Sequence, residues 1–216
     1  MTAGSQLGTG SAHFPRLYPI LDASCFADDL ALFQFLEELL SAGVTLLQYR
    51  NKQGSSRQML SQARQLRGIA GDRVRLIMND RADLCLAAAF DGVHLGQDDL
   101  PPEDARRIVE KPLWMGVSTH DPEQLRHADQ TDADYLAIGP VFATGSKANP
   151  DPVVGLDGVR AARALTRKPL VAIGGITRSN ARSVIEAGAD AVAVISDLVG
   201  DPRRAVEGFR RVLANI

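Results

Sequence analysis

The feature that most constrains this chain is a beat of short apolar runs separated by longer amphipathic stretches. From Leu17 onward the runs are "LYPIL" (17–21), "TLLQY" (45–49), "RLIM" (75–78), "GVHL" (92–95), "LWMGV" (113–117), "YLAIG" (135–139), "LVAIG" (170–174) and "AVAVI" (191–195). Each is nearly continuous in hydrophobic character, as expected of a parallel strand covered on both faces. The stretches between them carry helical spacing. In the first, Leu32, Leu36, Leu39 and Leu40 recur on one face and Gly43 follows as a stop. In the last, Asp201 can cap, Pro202 suits the first turn, and Val206, Phe209, Leu213 and Ile216 make a buried stripe. "TRSNARSVIEAGAD" offers Thr177 as cap and Gly188 as stop. The junctions "SAGVTLL", "AAFDGVHL", "DADYLAI" and "EAGADAVAV" repeat one helix-to-strand passage.

Eight such units close a TIM barrel. An open doubly wound sheet usually has fewer strands and wants a glycine-rich first turn, which "LYPILDASCFADD" lacks. The expected fold is therefore a single α/β (β/α)8 barrel over residues 14–216, behind a flexible tail, residues 1–13. That tail, "MTAGSQLGTGSAH", is small and polar, and no strand precedes its "GTG" to make a phosphate loop.

Bulk properties narrow the function. The chain has 216 residues, 24 Lys plus Arg against 26 Asp plus Glu, and a formal net charge of −2. No dominant basic surface is available for nucleic acid or an anionic membrane, though a few local cations still suit an anionic small molecule. No apolar run is long enough to cross a bilayer, and the first residues lack the basic start and apolar core of a secretory signal. Cys25 and Cys85 are the only cysteines and are not in CxxC spacing, which argues against a zinc site or redox pair. Cys85, in "ADLCLAAA", reads as a small core residue. A reducing, cytoplasmic setting is expected.

In a TIM barrel the active site lies at the C-terminal ends of the strands. The strand exits here carry Gln48, Arg50 and Lys52; Asn79 and Asp80; Gln97 and Asp99; Ser118 and Thr119; Thr144, Ser146 and Lys147; Gly174 and Gly175; and Ser196. "QYRNK" spaces Arg50 and Lys52 two apart, so alternation aims both to one side, a fork for a polyanion or an ordinary solvated pair. Asp80 and Asp99 leave adjacent strands and could share a hard cation such as Mg²⁺. Taken singly, Asp80 could cap the helix beginning "RADLCL", and Asp99 could be a turn residue before Pro101. "VAIGGITRSN" and "VISD" mark the phosphate-binding loops after strands seven and eight, unless the glycines serve only a tight turn. The long "GPVFATGSKANPDPVVG" loop (139–155) reads as a lid ordered by substrate, with a surface insertion as the alternative. His94, inside a strand, reads as a hydrogen-bonded barrel residue, and the role of His120 is left open.

These stretches together resemble the thiamine-phosphate synthase family, also called thiamine-phosphate pyrophosphorylase. "LLQYRNK", "MNDRADLCLAAAFDGVHLGQDDLP", "GVSTH", "AIGPVFATGSK", "VAIGGI" and "AGADAVAVIS" stand in that family's order from Leu17 to the C-terminus. The resemblance implies a transferase of thiamine biosynthesis. It would join 4-amino-2-methyl-5-hydroxymethylpyrimidine diphosphate to 4-methyl-5-(2-phosphoethyl)thiazole and release pyrophosphate with Mg²⁺ as cofactor. It implies Gln48, Arg50, Lys52, Asn79 and Lys147 around the pyrimidine diphosphate, with Arg50, Lys52 and Lys147 assisting catalysis. Asp80 and Asp99 would bind the metal. Ser118, Thr144, Ser146, Gly175, Ile195 and Ser196 would receive the thiazole phosphate. Expected partners are these small molecules, not nucleic acid or membrane, with a homo-oligomer left open. Alternatives are a thiazole tautomerase of the same superfamily, which needs no pyrophosphate pocket, and a non-catalytic phosphometabolite-binding barrel. Other phosphate-binding barrels, such as an epimerase, would want a central acid–base pair, for which only His94 is a candidate.

Overall fold

In a computed structural model, which describes residues 14–145 and 151–214, the eight strands pair in parallel in chain order and close on themselves. They are β1 (Leu17–Asp22), β2 (Leu46–Arg50), β3 (Arg75–Asn79), β4 (Gly92–Leu95), β5 (Trp114–Thr119), β6 (Tyr135–Ile138), β7 (Leu170–Ile173) and β8 (Ala191–Val194). The helices are α1 (Asp29–Ser41), α2 (Ser56–Ala70), α3 (Ala82–Ala87), α4 (Pro102–Ile108), α5 (Pro122–Gln130), α6 (Gly155–Leu165), α7 (Ala181–Glu186) and α8 (Pro202–Leu213). Closure is direct: Leu17 of β1 pairs with Val192 of β8, and Ile20 of β1 with Gln48 of β2. The expected (β/α)8 barrel is the fold. The expected tail, residues 1–13, and Ile216 lie outside the described residues.

Strand alternation sorts the apolar residues into two cores. Phe14, Tyr18, Ile20, Leu46, Ile77, Tyr135, Ala137, Val171, Ala191 and Ala193 fill the barrel interior. Leu21, Leu47, Tyr49, Leu76, Met78 and Val93 face outward, against Leu32, Leu36, Leu39, Leu66 and Phe209 of the helices. Phe14 closes the lower end, stacked on Trp114 at 5.5 Å, and Arg75 lies 3.7 Å over the Trp114 ring from its centroid. Cys85 is buried in the outer layer, its thiol pushed up to about 12 by burial, as a core residue rather than a nucleophile.

The repeated helix-to-strand passage has a physical content. Asp91, Asp134 and Asp190 each accept a hydrogen bond from a backbone N–H of the preceding strand, at Leu76, Met115 and Leu170. Each also pairs with an arginine from the helix below, Arg67, Arg106 or Arg163, at 2.5–2.7 Å. Where "SAGVTLL" has no aspartate, Arg210 of α8 donates directly to the Gly43 carbonyl at 2.6 Å. This scaffolding ties the lower rim and leaves the upper rim for chemistry.

Helix boundaries follow local signals with one correction. Gly43 and Gly188 adopt positive φ (75° and 111°) as stops, and the Asp201 carboxylate accepts from the Arg204 N–H. Thr177 does not cap α7 with its side chain. The helix begins at Ala181, and the Asn180 amide occupies the turn instead, accepting from the Thr177 N–H and donating to the Gly175 carbonyl. A preceding turn with its own asparagine outcompetes the hydroxyl.

Candidate active site

The upper rim opens into a cavity of about 460 Å³. Its walls include Gln48, Arg50, Lys52, Asn79, Asp80, Asp99, Ser118, Thr144, Gly175, Ile195 and Ser196, so the described candidates converge on one space. Ser146 and Lys147 fall outside the described residues.

Arg50, leaving β2, forms a close ion pair with Asp22, a 3% exposed carboxylate at the end of β1. Asp22 is also held by the backbone N–H (3.0 Å) and hydroxyl (2.7 Å) of Ser24. The register explains the pairing, because Asp22 lies directly beside Arg50 in the sheet. Asp22 was not among the sequence candidates: the first strand runs one residue further than its apolar stretch, and that residue is the carboxylate.

Lys52 reaches Asp80 at 2.5 Å. Asp80 follows β3 in a left-handed conformation, φ +63°, and its N–H donates to the His94 carbonyl of β4 at 2.7 Å. It does not cap α3, which starts after Arg81 without a side-chain cap. Burial pushes the Asp80 carboxyl up to about 6, the Lys52 ammonium works against that rise, and the adjoining Asp99 carboxylate adds to it. Asp99 also serves its turn, accepting from the Gly96 N–H at 2.7 Å. The turn role and the place beside Asp80 are thus compatible. Asn79 lines the same wall, and its buried amide nitrogen has no partner among the described residues.

On the opposite wall Gly174 and Gly175 take φ of +98° and +62°. A β-carbon on Gly174 would run into Pro140, and one on Gly175 into the carbonyl of Ala143, so the glycines admit the β6 loop as well as making the turn. That loop is pinned at its base: the N–H groups of Val141 and Phe142 donate to the carbonyls of Ile173 and Gly174, and that of Val154 to Pro140. Its centre, residues 146–150, is outside the described residues. His120 ties β5 to both arms, through the Gly139 carbonyl (2.6 Å) and the Asp151 carboxylate (3.5 Å). His94 bonds at both ring nitrogens, to Tyr135 (3.0 Å) and Ser118 (2.8 Å), and burial holds it down at about 4.

One wall thus presents cations and paired carboxylates, the other a glycine turn and hydroxyls, groups chemically able to meet anions. Among the described residues no helix is long and apolar enough to cross a membrane. The family model described as "Thiamine monophosphate synthase" matches residues 17–198. The chain is 61% identical over 202 residues to a thiamine-phosphate synthase of Koribacter versatilis, covering 92% of this chain and 96% of that one. It is 44% identical over 187 residues to a thiamine-phosphate synthase of Chloroflexus aurantiacus, covering 85% of each. Its fold is similar to the solved thiamine phosphate pyrophosphorylase of Pyrococcus furiosus, with a TM-score of 0.81 and 34% identity over 92% of this chain and 95% of that one. With a family model over most of its length and relatives matched nearly end to end, the chain belongs to the thiamine-phosphate synthase family, enzymes of the transferase class.

Proposed function

We propose that the chain condenses 4-amino-2-methyl-5-hydroxymethylpyrimidine diphosphate with 4-methyl-5-(2-phosphoethyl)thiazole, giving thiamine phosphate and pyrophosphate by a dissociative, Mg²⁺-assisted substitution. The observation that carries this reading is the meeting of Arg50 and Lys52 with Asp80 and Asp99 at one mouth.

The donor set fits Mg²⁺. Asp80 and Asp99 offer hard carboxylate oxygens, and among the described residues no cluster of three His, Cys, Asp or Glu forms a self-sufficient metal site. Mg²⁺ is typically held by one or two carboxylates together with substrate phosphates and water, whereas structural zinc wants four protein ligands. The carboxyl that burial and its neighbour push up to about 6 is one that gains from a nearby cation. When bound, Mg²⁺ supplies positive charge against the departing pyrophosphate.

The protein's own groups do the rest. Arg50 and Lys52, with Lys147 from the β6 loop, hold the diphosphate, and Asp22 keeps the Arg50 guanidinium aimed. Gln48 and Asn79 meet the pyrimidine, the unpartnered Asn79 amide supplying a donor. The aminopyrimidine pushes electron density toward its methylene as the carbon–oxygen bond breaks, the electron pair leaving with pyrophosphate. The thiazole nitrogen then captures the carbocation. No protein nucleophile is needed, so positioning and charge carry the catalysis. Ser118, Thr144, Ser146, the turn at Gly175 after β7, and Ile195 and Ser196 after β8 seat the thiazole phosphate in line.

A tautomerase would need a base at the ring, and His94 has both nitrogens committed and is held near 4. The reading also sets residues 14–216 as the catalytic domain, working on small molecules in the cytoplasm. The test is direct: the purified chain with both substrates and Mg²⁺ forms thiamine phosphate and pyrophosphate in equal amounts. No product from folded protein overturns the assignment.

A further inference from the structure

A continuous hydrogen-bond chain crosses the barrel interior beneath the cavity. The Gln48 Nε2 lies 3.1 Å from the Tyr18 hydroxyl, which is 2.9 Å from that of Tyr135. Tyr135 is 3.0 Å from His94 Nδ1, and His94 Nε2 is 2.8 Å from the Ser118 hydroxyl. Tyr18 and Tyr135 are almost wholly buried, and β5 carries Gly116 where any side chain would strike the Tyr135 ring. Gln48, Tyr18, His94 and Ser118 line the cavity, and Tyr135 lies beneath it.

With the Gln48 Nε2 turned inward, the arrangement that leaves no hydroxyl proton unpaired runs in one direction. An amide nitrogen only donates, so the Tyr18 oxygen accepts from Gln48. With Tyr18 donating to Tyr135, and Tyr135 to His94 Nδ1, each hydroxyl proton finds an acceptor within the chain. A neutral imidazole then carries its proton on Nε2 and donates to Ser118, leaving the serine's own proton for the cavity. At the other end the Gln48 carbonyl oxygen is left for a ligand. The other fully paired arrangement is the reverse chain, with the Gln48 amide turned over, His94 protonated on Nδ1, and Ser118 donating inward.

We infer that Tyr18, Tyr135 and His94 are positioning residues that couple Gln48 to Ser118, so that the cavity offers an acceptor at Gln48 together with a donor at Ser118 and thereby selects an aminopyrimidine over its 4-oxo counterpart. The inference rests on the substrate reading above and adds how the site recognises the amino group. An amino group donates to the Gln48 oxygen, and an anionic phosphate oxygen accepts from Ser118, both in one polarity. A 4-oxo ring instead presents a carbonyl to Gln48. Accommodating it requires the reverse polarity, in which Ser118 turns only lone pairs toward an anion. A mismatch at one end is thus felt at the other.

Two measurements on the full-length protein test this. In the unliganded wild type at pH 7, long-range ¹H–¹⁵N spectra of the imidazole report the tautomer. The Nε2–H form of His94 is expected, and the Nδ1–H form overturns the polarity. The second measurement is the ratio of affinities for the aminopyrimidine diphosphate and its 4-oxo analogue, with Mg²⁺ and with inorganic phosphate in place of the thiazole phosphate. Tyr18→Phe and Tyr135→Phe each cut the chain, and each should lower that ratio about tenfold, the scale of one net hydrogen bond. A merely structural role weakens both ligands equally, so an unchanged ratio overturns the coupling. Should the wild type make no thiamine phosphate while tautomer and ratio come out as expected, the reaction assignment fails and the polarised chain stands.

Discussion

Replacing Asp80 with asparagine should make the protein more stable and less active at once. The substitution keeps the size of the side chain and removes its charge. It also respects the backbone, because Asp80 sits at φ +63°, where asparagine is among the few residues readily accepted. Alanine there would add strain and confuse the reading. A carboxyl whose ordinary value of 3.8 is raised to about 6 favours its protonated form in the folded state. Its ionised form therefore costs folding free energy: that cost is absent below pH 4, grows as pH rises, and is full above pH 6. Converted in full, the change corresponds to about 3 kcal/mol. The side chain is 17% exposed and its Lys52 partner half exposed, so about 1–2 kcal/mol is the expected gain for Asp80→Asn.

Denaturant unfolding in metal-free buffer reads this directly. The variant should exceed the wild type by that margin at pH 7.5 and match it at pH 4. Turnover should meanwhile fall about 10²–10³-fold, as for loss of a charge contact made at the transition state, and half-maximal activity should need more Mg²⁺. A variant less stable than wild type at pH 7.5 would refute the burial argument. Unaltered turnover and Mg²⁺ dependence would refute the metal assignment.

Asp99→Asn should also slow turnover and raise the Mg²⁺ requirement, and the double variant should fall well short of the product of the two losses, since both serve one ion. Arg50→Lys should reduce activity through loss of the planar fork that Asp22 orients, with a smaller change in Mg²⁺ requirement, measured by metal titration of the rate. His94, lowered from 6.5 to about 4, carries the opposite sign to Asp80: the unfolded chain binds the proton more readily, so stability falls as pH drops from 6.5 to 4. His94→Gln should flatten that acid limb in pH-dependent unfolding. Deleting the residues before His13 should leave melting temperature and turnover unchanged, whereas Phe14→Ala, emptying the lower end of the barrel, should cost about 3–5 kcal/mol in denaturant unfolding.

Much of the fold was legible because strand burial on both faces leaves an unmistakable apolar run, and eight of them leave little choice of architecture. The rim was legible by the same logic, since polar residues at the ends of such runs have few structural reasons to be there. Its failures are instructive. Reading β1 as ending at Leu21 hid Asp22, the carboxylate that seats Arg50. A single residue of strand length decided whether a member of the site was seen, and apolar patterning cannot supply that residue, because a buried ion pair leaves no hydrophobic trace. Thr177 has the residue type of a cap, yet the turn is held by Asn180, whose amide accepts from the Thr177 N–H and donates to the Gly175 carbonyl, while the Thr177 hydroxyl pairs with Ser179.

The interior chain was illegible for a deeper reason. Tyr18 and Tyr135 lie within the apolar runs "LYPIL" and "YLAIG", and nothing local separates a tyrosine that fills space from one that passes a hydrogen bond. They meet inside the barrel, 117 residues apart, because closure through β7 and β8 brings β6 round to within three strands of β1. That juxtaposition follows from strand number and stagger together, not from any window of sequence. His94 could be read as a hydrogen-bonded barrel residue, since a buried imidazole must find partners. Which partners it finds, and hence which proton the cavity sees at Ser118, is a property of the closed barrel. The rim's chemistry can therefore be read from strand ends, while its polarity is set at the cavity floor by Tyr18, Tyr135 and His94, whose partners no stretch of sequence reveals.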